Sequence, residues 1–173
     1  MIDADDLLPG PVCDWLKQHN VGYEIIACDP DFADTAAFCA RYGVAPEDSA
    51  NTIVVTSKRG PQRHAACVAL ATTRLDVNHA VCRVLNVPRA SFASADQTRE
   101  LTGMMIGGVT PFGLPDGLPL LVDAQVMTRP TVVVGGGSRS AKLRIRPDDL
   151  LRVPEATVVE GLASLPPDSA ARL

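Results

Sequence analysis

The sequence predicts an α+β fold, a single domain built on a mixed β-sheet, and two observations lead to that class. Of the 173 residues, 46% are hydrophobic and 21% are charged, and the mean hydropathy is +0.11, which suits one sizeable core. Helical and strand patterns also follow one another irregularly, without the strict βαβ order that builds a parallel sheet. No apolar run approaches the roughly 18 residues of a membrane span, and the acidic N-terminus lacks a secretory pattern, so a cytoplasmic protein is expected.

The N-terminal region is predicted to form a helix, a short strand and a second helix. Apolar residues recur at helical spacing over 12–16 after a Pro-Gly-Pro start, and a glycine follows the expected end of that helix. Residues 23–27 then have the composition of a strand. Asp34 or Thr35 can cap the second helix, and Gly43 lies where that helix should stop.

The middle of the chain is predicted to hold a β-hairpin followed by a helix. Residues 52–56 are strongly β-branched and residues 64–71 are apolar, and the Lys-Arg-Gly-Pro-Gln segment between them is typical of a turn. The third helix is expected to start at Asp76 and to stop before Pro88, because a proline cannot continue it.

Ser94 begins a fourth helix, because Gln97 stands at the position that completes a capping box. Three strands and a short final helix from Asp148 are expected to follow a glycine-rich, irregular stretch. The strands are predicted over residues 120–123, 131–134 and 142–146. The domain should cover residues 1–163, and residues 164–173, with their two prolines, should form a disordered tail.

Charge and cysteine content exclude some functions and leave others open. The five cysteines are widely spaced and the three histidines do not cluster with them, which predicts neither a disulfide framework nor a metal site. Residues 1–50 carry ten Asp/Glu against two Lys/Arg, whereas residues 51–173 carry ten against fourteen. This asymmetry is compatible with a surface that faces a polyanion, and equally with two ordinary solvated surfaces.

Three segments could carry chemistry. The glycine-rich stretch 103–113 can bring free backbone groups close to a small polar ligand, although an ordinary surface turn has the same composition. The Gly-Gly-Gly-Ser sequence at 135–138 follows a strand but lacks the Gly-Lys-Ser/Thr of a phosphate loop, which favours a tight turn. Lys142, Arg144 and Arg146 share one face of the last strand, and this basic ladder either contacts a phosphate backbone or solvates that face.

Several motifs across residues 10–162 occur in the order found in a known family. The most specific is an Arg-Glu-Leu-Thr-Gly segment ending at Gly103, followed by a Gly-x-x-x-Pro loop from Gly107 to Pro111. A Leu-Pro-Leu-Leu-Val-Asp strand, a Val-Val-Val-Gly-Gly-Gly turn and the strand and helix end at 143–150 support it. On these residues the chain resembles the YbaK-like editing domains, free-standing or inserted in bacterial prolyl-tRNA synthetase, which hydrolyse mischarged aminoacyl-tRNAs.

The resemblance implies a mixed, barrel-like β-sheet flanked by helices, with a pocket between the Gly-x-x-x-Pro loop and the first hairpin strand. It also implies ester hydrolysis at the tRNA 3′ end with no metal or cofactor. Gly107, Gly108 and Pro111 would hold the aminoacyl group, and Asn51 would orient the terminal ribose or phosphate. The residues expected to bind the rest of the substrate are Thr52, Thr110, Phe112, Asp123, Gly135, Gly136 and Gly137. The basic ladder becomes the expected tRNA contact.

The resemblance breaks at one position. The family usually has a lysine just before the residue that opens the hairpin strand, where it helps to place the aminoacylated end, and here that residue is Asn51. The nearest downstream lysine, Lys58, lies roughly 23 Å along the strand at about 3.3 Å per residue, which is too far to replace it. An asparagine donates a hydrogen bond but brings no charge, so weaker catalysis or binding is expected.

Three functional hypotheses follow. The first is a free-standing deacylase, or a weakened descendant of one, that acts in trans on mischarged tRNA, alone or with a synthetase partner, and not on DNA or membranes. The second is a non-catalytic module of the same fold that binds an aminoacyl-tRNA, an aminoacyl-like group or a nucleotide. The third is an interaction protein whose acidic N-terminal half binds a basic partner.

Overall fold

Ten short strands and four α-helices form the framework of residues 4–166, the part of the chain that this computed structural model describes. The helices are α1 (Gly10–Gln18), α2 (Thr35–Tyr42), α3 (Cys82–Leu85) and α4 (Ala95–Thr102). The longer strands are β1 (Glu24–Ala27), β2 (Ala50–Arg59), β3 (His64–Leu70), β5 (Arg89–Phe92), β6 (Leu120–Asp123), β7 (Val132–Gly135), β8 (Ala141–Ile145) and β9 (Ala156–Val159). Two-residue strands β4 (Arg74–Leu75) and β10 (Ala163–Ser164) complete the set.

The predicted mixed sheet is confirmed by a five-stranded sheet in the order β5-β2-β3-β6-β9. Strands β2 and β3 form the predicted antiparallel hairpin, with Ala50 opposite Leu70 and Thr56 opposite His64. Strand β6 then runs parallel to β3, and β9 runs parallel to β6. The sheet therefore combines both pairing modes, as the irregular order of helices and strands predicts.

A second sheet has three antiparallel strands in the order β1-β8-β7. It meets the first through a single parallel bridge between Ser49, just before β2, and Val133 in β7. Strands β4 and β10 pair separately. Within the described residues the strands thus form three sheets rather than one hydrogen-bonded barrel, and the start of β2 lies at the junction of the two larger ones.

Three apolar clusters fill the space around these sheets. The largest joins α1 to one face of both large sheets through residues such as Leu16, Phe112 and Leu143. A second packs the other face of the five-stranded sheet against α3. The third packs α2, through Phe38, against the remaining face of the three-stranded sheet, where Val133 is buried. Strand β8, at the centre of the three-stranded sheet, is consequently covered on both faces.

Local sequence signals are largely confirmed. Helix α2 ends at Gly43, whose φ of 67° is the left-handed conformation that favours glycine. Helix α4 carries the complete capping box of Ser94 and Gln97. The third predicted helix begins as a π-helical turn over Val77–Val81, with Asp76 accepting a hydrogen bond from the His79 backbone N–H. The final short helix is a 3-10 helix over Pro147–Arg152.

The short strands β4, β5, β9 and β10 are absent from the sequence prediction. Strands β4 and β10 have only two residues each, and β5 and β9 are partly exposed edge strands without a buried apolar run. Most of the expected disordered tail lies outside the described residues. No helix within residues 4–166 has the length and apolar character needed to cross a lipid bilayer.

Candidate functional site

A pocket of about 280 Å³ opens beside the glycine-rich loop, where the two larger sheets meet. Its walls come from segments that are far apart in sequence: the start of α2, strand β2, the end of β5 with α4, the loop, and the β7–β8 pair. The lining residues are Asp34, Thr35, Ala50, Asn51, Thr52, Ile53, Val54, Phe92, Ala93, Thr98, Ile106, Gly107, Val109, Gly135 and Lys142. This volume is at the small end for ligand sites and suits a group the size of an amino acid with part of a sugar.

Strand β2 presents two polar groups with unused hydrogen-bonding capacity. The Thr35 hydroxyl of α2 donates to Asn51 Oδ1, an assignment that follows from the hydrogen-bond network. The Asn51 amide NH₂ is then left as a donor without an acceptor among residues 4–166. Thr52 Oγ1 is buried and also lacks a partner within that range. Buried polar groups are nearly always paired, so the unpaired Thr52 hydroxyl in a concave site, next to the free Asn51 donor, indicates a ligand.

Lys142 of β8 places a cation in the same pocket. Its side chain is only 9% exposed, because α2 packs over this face of the sheet. Its ammonium Nζ donates to the Gly107 carbonyl at 3.2 Å and lies 5.4 Å from the centre of the Phe38 ring. Burial lowers the pKa of this ammonium, and the neighbouring guanidinium of Arg139 acts in the same direction.

The guanidinium of Arg139 connects the segments around the mouth of the pocket through hydrogen bonds. It donates to the Pro30 carbonyl at 3.2 and 2.9 Å, to the Asp34 carboxylate at 3.1 Å and to the Ile106 carbonyl at 3.3 Å. It also packs directly on Gly107, where a Cβ atom would lie 2.1 Å from Arg139 Nη1. Gly107 has a φ of 88°, a left-handed conformation that favours glycine, and a side chain there would also displace the Arg139 guanidinium.

The two glycine-rich segments pack backbone against backbone. Gly137 N–H donates to the Gly108 carbonyl at 2.8 Å. A Cβ atom on Gly135 would lie 2.1 Å from the Val109 oxygen, and one on Gly108 would lie 2.9 Å from the Ser138 oxygen. Real Cβ atoms do not come this close to backbone atoms, so larger residues would push the loop away from β7.

The sequence profile of the aminoacyl-tRNA editing domain family matches residues 29–153. The chain belongs to the aminoacyl-tRNA editing domain family. The match contains every segment that lines the pocket. The predicted family and the type of fold are therefore confirmed.

Solved structures show the same fold. The structure of the hypothetical protein APE2540 is 27% identical, with a TM-score of 0.79, over 89% of this chain and 99% of that one. The structure of a proposed trans-editing enzyme for prolyl-tRNA synthetase is 23% identical, with a TM-score of 0.75, over 92% of this chain and 97% of that one.

Within this editing domain, the pocket brings together part of the predicted site. Asn51, Thr52, Gly107 and Gly135 line it, although they come from β2, the loop and β7, and so does Lys142. Gly108 and Pro111 are buried beside it, and Gly108 supports the loop through the Gly137 contact. Their predicted catalytic role stays a prediction.

Other residues predicted to bind substrate do not line this pocket. Thr110 is fully buried and its hydroxyl accepts a hydrogen bond from the Phe112 N–H at 3.4 Å. The Phe112 ring belongs to the main core and stacks on Trp15. Gly136 and Gly137 turn the chain between β7 and β8, and Gly137 has a φ of 95°.

Asp123 closes the end of β6 and lies outside the pocket lining. Its Oδ1 accepts the Ala163 N–H at 3.2 Å, and burial raises the pKa of its carboxyl. The arrangement holds the chain segment that follows β9 against the sheet, which is a structural role.

The predicted basic ladder is not a continuous solvent-exposed face. Lys142 is buried in the pocket, because α2 covers this side of the three-stranded sheet. Arg144 is half-exposed and pairs with Glu24 at 3.1 Å. Arg146 is exposed and lies 3.7 Å from Asp149. The expectation of one exposed face is therefore wrong at Lys142, and alternation along a strand cannot reveal that a helix covers it.

Thr35, Phe92 and Thr98 line the pocket although the sequence does not single them out as site residues. The pattern around Thr35 indicates only a helix cap, and Phe92 lies in a strand that the sequence does not predict. Thr98 is buried inside a helix whose capping pattern concerns other residues. Among the described residues no cluster of His, Cys, Asp or Glu could hold a metal ion, and all five cysteines are buried free thiols.

Proposed function

We propose that this protein is a deacylase that hydrolyses the ester of mischarged aminoacyl-tRNA in trans. The observation that supports this activity is the pocket beside Asn51, where unpaired polar groups meet a rigid loop of the editing-domain type. Such preorganised donors stabilise charge that develops on a substrate oxygen. The pocket is also small enough to select an amino acid by size.

The proposed reaction is attack of water on the aminoacyl carbonyl carbon. The water oxygen forms the new C–O bond, the bond from that carbon to the ribose oxygen breaks, and the ribose oxygen takes a proton from the water. The products are the free amino acid and tRNA with a free terminal hydroxyl. The Asn51 amide NH₂ would orient the ribose, and the Gly107 N–H, which has no acceptor within residues 4–166, would hold the aminoacyl group.

The surface that would bind the acceptor end of the tRNA is not the basic ladder predicted on β8. Residues 58–99 carry seven Lys/Arg against two Asp/Glu. All seven cations are exposed, and none of them takes part in an ion pair found in the described residues. Lys58, Arg74 and Arg89 line one cleft together with Phe92, which is 52% exposed and also lines the pocket. This cleft, which we call the basic cleft, leads from the pocket along a positively charged surface that suits a phosphate backbone.

The alternative is a binding module of the same fold without catalysis. The observation that favours it is Asn51, which stands where the resemblance expects a lysine. Loss of a charge-assisted hydrogen bond costs about 1.5–3 kcal/mol, which slows a reaction by roughly ten- to a hundredfold without abolishing it.

The test is a deacylation assay over a panel of mischarged tRNAs with the wild type and Asn51→Asp. This variant keeps an oxygen for the Thr35 hydroxyl, replaces the NH₂ donor with a second oxygen and adds a negative charge. Asn20→Asp, exposed at the end of α1, is the matched control for the added charge. We expect turnover on at least one tRNA, reduced roughly tenfold or more by Asn51→Asp and unchanged by Asn20→Asp. A wild type that binds charged tRNA but hydrolyses no member of the panel would exclude the deacylase and leave the binding module.

A further inference from the structure

We propose that Lys142 is the anion-binding residue of the pocket, and that it holds a negatively charged oxygen of the substrate. The identity of that substrate rests on the proposed deacylase function. The presence of an anion site does not rest on that function, because it is inferred from the surroundings of the lysine alone. A positive charge would then be supplied from β8, although the resemblance expects it at the position of Asn51 on β2.

Burial of this lysine has an energetic cost that the protein does not offset by itself. Lysine is almost never buried without a partner, because desolvation of an ammonium costs several kcal/mol. Lys142 is 9% exposed, and no carboxylate in the described residues lies within ion-pair distance of its Nζ. The Gly107 carbonyl and the Phe38 ring compensate only part of the charge. The fold therefore maintains a cation whose counter-charge is missing from the protein itself.

The unused donors of Lys142 lie beside other unused polar groups. An ammonium has three N–H groups, and the Gly107 carbonyl takes one of them. Lys142 lines the same pocket as the unpaired Asn51 amide and the unpaired Thr52 hydroxyl. A ligand in this pocket can therefore use the free N–H groups of Lys142 together with an unpaired polar group of β2.

The pocket also carries an excess positive charge. The ionisable groups that act on Lys142 are the thiols of Cys28 and Cys39, the Asp34 carboxylate and the Arg139 guanidinium. Asp34 already pairs with Arg139 at 3.1 Å and is itself largely exposed. Two cations thus face one carboxylate. A bound anion would balance the excess charge and raise the pKa of Lys142 again.

A negatively charged oxygen of an aminoacyl-tRNA can come from two places. One is the 5′ phosphodiester of the terminal adenosine, which is charged before and after reaction. The other is the carbonyl oxygen, which becomes negative only when water has added. Binding to the phosphate lowers KM, whereas binding to the developing oxyanion raises kcat, so the two sources have different kinetic signatures.

The experiment measures binding and kinetics for the full chain and two variants. Lys142→Met removes the charge and keeps an unbranched apolar side chain in the buried position. Arg144→Met is the matched control, because Arg144 lies two residues further along β8 and pairs with Glu24 outside the pocket lining. Adenosine 5′-monophosphate and adenosine are the binding probes, since they differ only in the phosphate. Deacylation is followed on the tRNA that the panel identifies.

We expect Lys142→Met to lose about ten- to a hundredfold in affinity for adenosine 5′-monophosphate, or the same factor in kcat, and Arg144→Met to lose neither. If Lys142→Met loses phosphate-dependent affinity and has a raised KM, Lys142 holds the phosphate. If it loses only kcat, Lys142 holds the developing oxyanion. If the wild type hydrolyses tRNA and Lys142→Met matches Arg144→Met in every measurement, the inference about Lys142 is wrong and the deacylase stands. If no tRNA is hydrolysed but Lys142→Met still loses nucleotide affinity, the deacylase is wrong and the anion site stands.

Discussion

Replacing Gly135 with alanine tests whether the contact between the two glycine-rich segments positions the pocket. An added Cβ would lie 2.1 Å from the Val109 oxygen and 2.8 Å from the Val109 carbonyl carbon, whereas ordinary contacts begin at 3.4 Å. The obstruction is backbone, so no side chain can rotate out of the way. Strand β7 and the loop must therefore separate by about 1 Å, in a region that is otherwise packed at the density of a crystal.

The expected cost has a structural and a functional part. Overpacking a filled site costs about 1–3 kcal/mol, which lowers the Tm of a chain of this size by roughly 2–12 °C. Gly107 and Val109 line the pocket from the displaced loop. A misplacement of about 1 Å reduces a positioned reaction by on the order of a hundredfold, so kcat/KM should fall more than the loss of stability alone explains.

Thermal denaturation and deacylation are measured on Gly135→Ala beside Gly22→Ala. Gly22 is exposed, and a Cβ atom added there would have no atom within 4 Å, so its variant controls for the general effect of alanine. Because both variants are assayed well below their Tm, the comparison separates loss of folding from displacement of the loop. A Gly135→Ala protein with a Tm within about 1 °C of the control and the same kcat/KM would refute the packing argument.

Two further predictions concern the charges. Lys142→Met should raise the Tm by at least about 2 °C near neutral pH, because it removes a buried unpaired charge. The pKa of Lys142 is lowered in the folded state, so above that pKa the unfolded chain binds more protons than the folded chain and the stability of the wild type rises with pH. The difference in Tm between Lys142→Met and the wild type should therefore narrow when thermal denaturation is measured at alkaline pH. Replacing Lys58, Arg74 and Arg89 with glutamine should reduce the slope of log affinity for tRNA against log salt concentration by about 2–3. The control Arg144→Gln should leave this slope nearly unchanged. If the triple variant and the wild type have equal slopes, the basic cleft does not contact tRNA.

The sequence predicts the elements that are formed by residues close together along the chain, and it misses those that depend on distant residues. Helix caps such as Ser94, the stop at Gly43 and the β2–β3 hairpin depend on residues within a few positions of one another. Such signals survive in a single sequence, because the side chains that satisfy the backbone are neighbours along the chain. Short strands such as β5 exist only because a longer strand pairs with them, so their own residues predict little.

The candidate site shows the same division. The sequence by itself determined that Asn51, Thr52 and the Gly-x-x-x-Pro loop belong near one another, because their motifs resemble those of an editing domain. The tertiary structure alone decided that Lys142 joins them and that Phe112 and Asp123 do not. Alternation along β8 predicts only which side chains share a face. Whether water or α2 covers that face is set by packing between elements about a hundred residues apart, and that packing is what turns a surface lysine into a pocket cation.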